Sequence, residues 1–192
     1  MRLHRKKEKT LIELAEEMIQ EVRTWLPERQ IRVVGDGFYS TLAGKSLRDI
    51  ALISRLRRDA NLYDLLPKRQ RKRRGRPRTK GKKLAKLEKM AAHIQNWESI
   101  EIRQRSQTVK RLVYIRTVLW PKVTKTPIKL VISRDPEGKE KDDFFFTTDL
   151  AMSACEVLEC YGDRWAIEDT FKNAKQSLGV QDPQTHKGKG PE

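Results

Sequence analysis

Residues 68 to 83 contain 11 lysines and arginines and no acidic residue, out of a formal net charge of +16 on 192 residues. A block of like charge repels itself and cannot enter a core. The run therefore divides the chain. Any core must be built from the sequence before it and the sequence after it, with the run left outside as an exposed arm. Such an arm seeks a polyanion, and nucleic acid is the expected partner.

The flanking sequence can supply that core. Hydrophobic residues make up 37% of the chain and charged residues 35%. No apolar run approaches the ~18 residues of a membrane-spanning helix. The basic N-terminus, Met1 to Lys7, leads into Glu-studded sequence rather than the apolar stretch of a signal peptide. Cys155 and Cys160 have neither metal-ligand spacing nor a disulfide framework, and the three histidines are scattered, so zinc is not expected. The expected setting is a reducing cytoplasm.

Thr10 and Glu13 form a capping box ahead of Leu11, Leu14, Ala15, Met18, Ile19, Val22 and Leu26 at helical spacing, with Pro27 as the stop. Ile31 to Val34 reads as a strand closed by Gly35-Asp36-Gly37, whose end delivers Asp36. A second helix is expected from Ser40 or Thr41 to about Asp49, and Ile50 to Leu56 as another buried strand. Strand, helix, strand at this spacing predicts an α/β unit with a parallel pair. Beyond the arm, residues 100–107, 111–119, 127–133 and 143–147 are short stretches rich in Val, Ile, Thr, Tyr and Phe, separated by Pro and Gly turns. They predict antiparallel strands. Ser153 and Glu156 open a C-terminal helical segment that runs to about Leu178.

That last segment carries the chemistry. At ~100° per residue, Tyr161, Arg164, Glu168 and Lys175 share an arc of roughly 60°. Ile167, Phe171, Ala174 and Leu178 form the neighbouring stripe, which predicts a face turned to a core. Gly162 weakens the first turn and places Tyr161 before a kink. Trp165 reads as a packing residue at the rim, and the cysteines as structural.

The spacing Tyr161, Arg164, Glu168, Lys175 resembles the YREK signature of bacterial insertion-sequence DDE transposases of the insertion-sequence-four-like group. Val33-Val34-Gly35-Asp36-Gly37-Phe38-Tyr39 looks like that family's strand with its second acidic residue. The β-rich stretch between the two looks like its insertion. The resemblance covers roughly residues 10 to 180.

What the resemblance implies is an α/β (α+β) fold: a partial ribonuclease-H-like core interrupted by a β-rich insertion. Residues 1–66 would be the first part of that core without its first strands, 67–99 a basic linker and helix, 100–148 the insertion, 149–180 the catalytic helix and 181–192 a frayed tail. Asp36 and Glu168 would be catalytic carboxylates and metal ligands. Tyr161, Arg164 and Lys175 would grip phosphates of double-stranded DNA at the transposon ends. The cofactor would be Mg²⁺ or Mn²⁺, whose two ions activate a water or a 3′-hydroxyl and stabilise the leaving oxygen. The parent enzyme could be a homodimer, with no membrane contact, in a bacterial cytoplasm and on the nucleoid when bound.

One feature departs from that pattern. The family's first Asp precedes the long helix, yet residues 1–35 contain no aspartate. The chain is therefore expected to be a truncated transposase, inactive alone. The alternative reading is a non-enzymatic DNA-binding protein that acts through the arm at 68–83. Within it, Arg73-Arg74-Gly75-Arg76-Pro77-Arg78 matches the core of a minor-groove AT-hook. Three readings of the arm stay open: non-specific DNA binding through Arg73, Arg74, Arg76 and Arg78, a true hook, or a solvated linker.

Overall fold

The computed structural model describes residues 9–45, 47, 49–66, 79–104 and 107–178. Helix α1 spans Leu11–Trp25, and both halves of the Thr10/Glu13 capping box are present. Strand β1 (Ile31–Gly35) follows, then β2 (Ile50–Arg55), a short helix α2 (Leu87–Ala92), and strands β3 (Glu98–Gln104), β4 (Gln107–Leu119), β5 (Pro127–Arg134) and β6 (Asp143–Thr147). Helices α3 (Ala154–Asp163) and α4 (Trp165–Leu178) close the described chain. No helix among the described residues is long and apolar enough to cross a membrane.

The helix expected after Asp36 is instead a 3-10 helix, Tyr39–Gly44. Ser40 does not cap it; its hydroxyl donates to the Gly37 carbonyl at 2.7 Å. The bonds at both ends run from i+3 to i, Tyr39 N–H to Asp36 and Lys45 N–H to Leu42. So short a connection cannot repay the nucleation cost of an α-helix, and the tighter turn serves.

All six strands belong to one sheet, in the order β1-β2-β6-β5-β4-β3. The sequence-expected parallel pair is present: β1 runs alongside β2 from Ile31↔Ile50 to Gly35↔Ser54. The remaining neighbours are antiparallel, and β6 joins the β-rich half to β2 through Ile53↔Thr147 and Arg55↔Phe145. The architecture is mixed α+β and compatible with a partial ribonuclease-H-like fold.

Alternation along the strands builds a core on each face. Leu52, Leu130, Ile132 and Phe146 join Leu42, Leu62, Leu87 and Trp120 on one face. Ile12, Ala15 and Ile19 of α1 pack against that cluster. Ile53, Val131 and Phe145 face the other way and meet Val157, Leu158 and Tyr161 of α3.

The sequence ahead of the basic run is tied to the run's last residues and to Leu84 behind it. Asp64 N–H donates to Lys82 O at 2.9 Å, Gly81 N–H to Asp64 O at 3.0 Å and Leu84 N–H to Leu62 O at 2.9 Å. A Cβ on Gly81 would lie 2.6 Å from the Leu65 carbonyl, so glycine permits this approach. Tyr63 exchanges two further main-chain bonds with Leu119 at the end of β4. Residues 62–64 and 81–84 thus sit at the margin of the sheet where β4 ends and β5 begins, opposite to the margin where β1 and β2 end. The AT-hook residues Arg73, Arg74, Arg76 and Arg78, and the tail from 181, lie outside the described residues.

Candidate functional site

Because β1 and β2 are parallel, their C-terminal ends reach the same margin, and antiparallel β6 begins there. Asp36 is the first residue past β1. Its Oδ1 accepts from Phe38 N–H at 2.9 Å, and its carbonyl accepts from the Ser54 hydroxyl at 2.7 Å and from Tyr39 N–H at 3.2 Å. Ser54 is fully buried, so the turn is pinned from inside the sheet while the Asp36 side chain is exposed.

The next residue on β2, Arg55, pairs with Asp143 of β6 at 2.6 Å. Its guanidinium lies 5.9 Å from the centre of the Phe145 ring and 6.0 Å from that of Tyr161. Tyr161 is buried on α3, with its ring centre 4.7 Å from that of Phe145. Arg164 approaches the same Tyr161 ring at 5.6 Å and donates to Glu168 at 2.7 Å. Burial is the largest influence on the Arg164 pKa and lowers it, but the hydrogen bond and charge of Glu168 together with Tyr161 outweigh it and leave the value raised. The Arg164 Nε is buried and has no hydrogen-bond partner among the described residues.

Tyr161, Arg164 and Glu168 are therefore brought into contact. Asp36 reaches the same margin through Ser54 and Arg55. Lys175 is exposed, further along α4. The kink predicted near Gly162 falls at Arg164, which separates α3 from α4, so Tyr161 and Glu168 sit on different helices.

One expectation needs correction. The stripe Ile167, Phe171, Ala174 and Leu178 does not face a core: Ala174 is half-buried, and the other three side chains are 59%, 63% and 77% exposed. Past Arg164 the helix runs clear of the sheet, so no described element lies beneath the stripe. Trp165 is 44% exposed, with the Arg164 guanidinium 5.0 Å from its ring centre.

The carboxylates do not complete a metal site. Among the described residues no three His, Cys, Asp or Glu side chains gather closely enough to hold an ion. Asp36 is engaged with a main-chain N–H and Glu168 with Arg164. Sequence reasoning also missed Ser54, Arg55 and Asp143. The signal for the first two was the parallel pairing, which puts whatever ends β2 beside whatever ends β1.

Two family models match the chain. A family model described as DDE superfamily endonuclease matches residues 4–127, which include Asp36. That span is more than half of the chain, and the chain belongs to the DDE superfamily of endonucleases. A second model, described as archaeal putative transposase ISC1217, matches residues 80–188, which include Tyr161 to Lys175. Together the two matches support a DDE transposase and a role related to DNA transposition. Enzymes of this superfamily generally use divalent metals. No curated protein and no solved structure matches the chain.

Proposed function

We propose that the chain is the part of a YREK-type bacterial DDE transposase that runs from the second aspartate to the catalytic glutamate. Asp36 and Glu168 are two of the three carboxylates directed at Mg²⁺ or Mn²⁺, and Tyr161, Arg164 and Lys175 hold phosphates of the transposon end. Arg164 suits the task because its planar fork matches phosphate oxygens. The observation that carries the reading is the continuous path Asp36–Ser54–Arg55–Tyr161–Arg164–Glu168 along one margin of the sheet. Within this reading the β-rich stretch 100–148 is the family's insertion, joined to the core by the β2–β6 pairing.

The third carboxylate has to come from outside the described residues. Strand β1 is an edge strand, with no partner on its far side among the described residues. A further strand paired there and parallel to it would end beside Asp36. The 192-residue chain alone is accordingly expected not to cut or join DNA, since ion placement needs all three carboxylates. The test is a cleavage assay in Mg²⁺ and in Mn²⁺ on supercoiled and linear DNA. Metal-dependent cutting that Glu168→Gln abolishes would overturn the inactivity and favour a self-sufficient nuclease.

A second reading, non-enzymatic DNA binding through 68–83, draws on the root of the arm. The tie between Leu62–Asp64 and Gly81–Leu84 lies at the margin opposite to Asp36, and binding through cations alone needs no metal. DNA binding that persists in a metal chelator and vanishes with the arm's cations would favour it.

A further inference from the structure

A cleft opens beside Tyr161 whose far wall has no part in the reading above. It is lined by Arg55, Asp143, Tyr161 and Trp165, by Lys141 of the β5–β6 turn, and by Arg111 of β4, which lies two strands across from β6 and forms the far wall. The Arg111 side chain is only 15% exposed, and its Nη1 pairs at 2.7 Å with Glu140, whose side chain is 63% exposed. Glu140 belongs to the β5–β6 turn. That turn is shaped by Asp135, whose carboxylate accepts from the N–H groups of Glu137, Lys139 and Glu140.

The pairing is lopsided. The cation is enclosed and fixed by the sheet, whereas its carboxylate hangs on a surface turn in water. An exposed carboxylate contributes little to such a pair and gives way readily to a better anion. A phosphodiester is such an anion, because the guanidinium fork binds phosphate with bidentate geometry. Lys141, next in the chain, adds a second cation to the same cleft. Arg55, at the end of β2, is also held by a carboxylate of the same hairpin, Asp143 at its base, but there the cation is the more exposed partner.

We infer that Arg111 is a second contact for the DNA backbone on the far wall of this cleft, and that Glu140 occupies the phosphate position until DNA displaces it. The inference rests on the DNA-handling reading of the neighbouring margin. It extends the DNA path from the Tyr161 side to the tip of the β-rich half.

The two residues must then act with opposite signs. Binding of a fluorescein-labelled duplex to the full chain is followed by anisotropy across a salt series. Glu140→Gln frees the arginine and is expected to tighten binding roughly two- to five-fold. Arg111→Gln is expected to weaken it roughly three- to ten-fold and to reduce the salt slope by about one contact. Arg111→Lys keeps the charge and restores most of the loss, and the double variant behaves like Arg111→Gln alone. A purely structural pair gives another pattern: both single variants lower the melting temperature and neither tightens binding. That pattern, or unchanged affinity in both variants, overturns the inference while DNA binding by the parent chain stands. If the unsubstituted chain binds no DNA at all, the reading on which the inference rests falls with it.

Discussion

Ser54 and Asp36 meet across the β1–β2 pair, the buried Ser54 hydroxyl donating at 2.7 Å to the main-chain carbonyl from which the Asp36 side chain leaves the sheet. This one bond ties the interior of the fold to an exposed carboxylate at its margin. Ser54→Ala removes the donor and leaves the Asp36 carbonyl with only the Tyr39 N–H. A loss of about 1–2 kcal/mol is expected. Urea unfolding would show it as a lower midpoint at unchanged slope, and an unmoved midpoint would discard the claim.

Phe146 is fully buried between β2 and β5, with its ring edge-to-face against Trp120 at 5.7 Å. Phe146→Ala should cost about 3–5 kcal/mol, from lost transfer energy and the cavity left behind. Thermal melts of the purified variant measure this. A shift no larger than that of an exposed substitution would mean that the β-rich half is not packed on the β1–β2 pair.

Acid should loosen the docking of α3. Glu156 is held below its ordinary pKa by the Ser153 N–H, then by the Ser153 hydroxyl and Arg32. A depressed folded-state pKa means stability that is present above the unfolded value and lost as pH falls through the folded one. Melting temperature should therefore drop below the ordinary glutamate range, and Glu156→Gln should flatten that part of the profile. An equally steep profile in the variant would assign the acid sensitivity elsewhere, with Asp135, also lowered by main-chain donors, the first candidate.

DNA binding through 68–83 should be strongly salt-dependent. With 11 cations in the run, not all of which can reach phosphates at once, a log–log slope of roughly −4 to −7 is expected. Replacing Arg74 and Arg76 by Ala should shrink the slope by about two contacts, with similar losses on A·T-rich and G·C-rich duplexes. A loss confined to A·T-rich DNA would identify a minor-groove hook instead. No loss on either would remove the arm from DNA binding.

Local signals were legible where one residue decides one bond. Thr10 with Glu13 and Ser153 with Glu156 announced the starts of α1 and α3, and both capping boxes are present. Strand positions followed from their β-branched runs. What could not be read was whether a neighbour exists. Periodicity marked Ile167, Phe171 and Leu178 as an apolar face, but periodicity describes a helix by itself and says nothing about what lies against it. Nor could spacing reveal Ser54 as the partner of Asp36, because that contact depends on the Gly35↔Ser54 register. The four-residue signature was visible as a pattern, while its break at Arg164, with Tyr161 on one helix and Glu168 on the next, depended on where α3 leaves the sheet.

Helix α4 has no buried residue. A helix of 14 residues that draws nothing from a core is marginal in water. Its amide protons should exchange with deuterium nearly as fast as those of a free peptide, while those of α3, four of whose residues are buried, exchange far more slowly. The spacing between Glu168 and Lys175 is then held only for part of the time until something lies along the helix. Ordering it at that moment lowers the affinity of each contact. On the proposed reading, in which Glu168 and Lys175 both meet the substrate, it also makes a substrate that touches only one of them a poor one, because such a substrate bears the ordering cost without the second contact that offsets it.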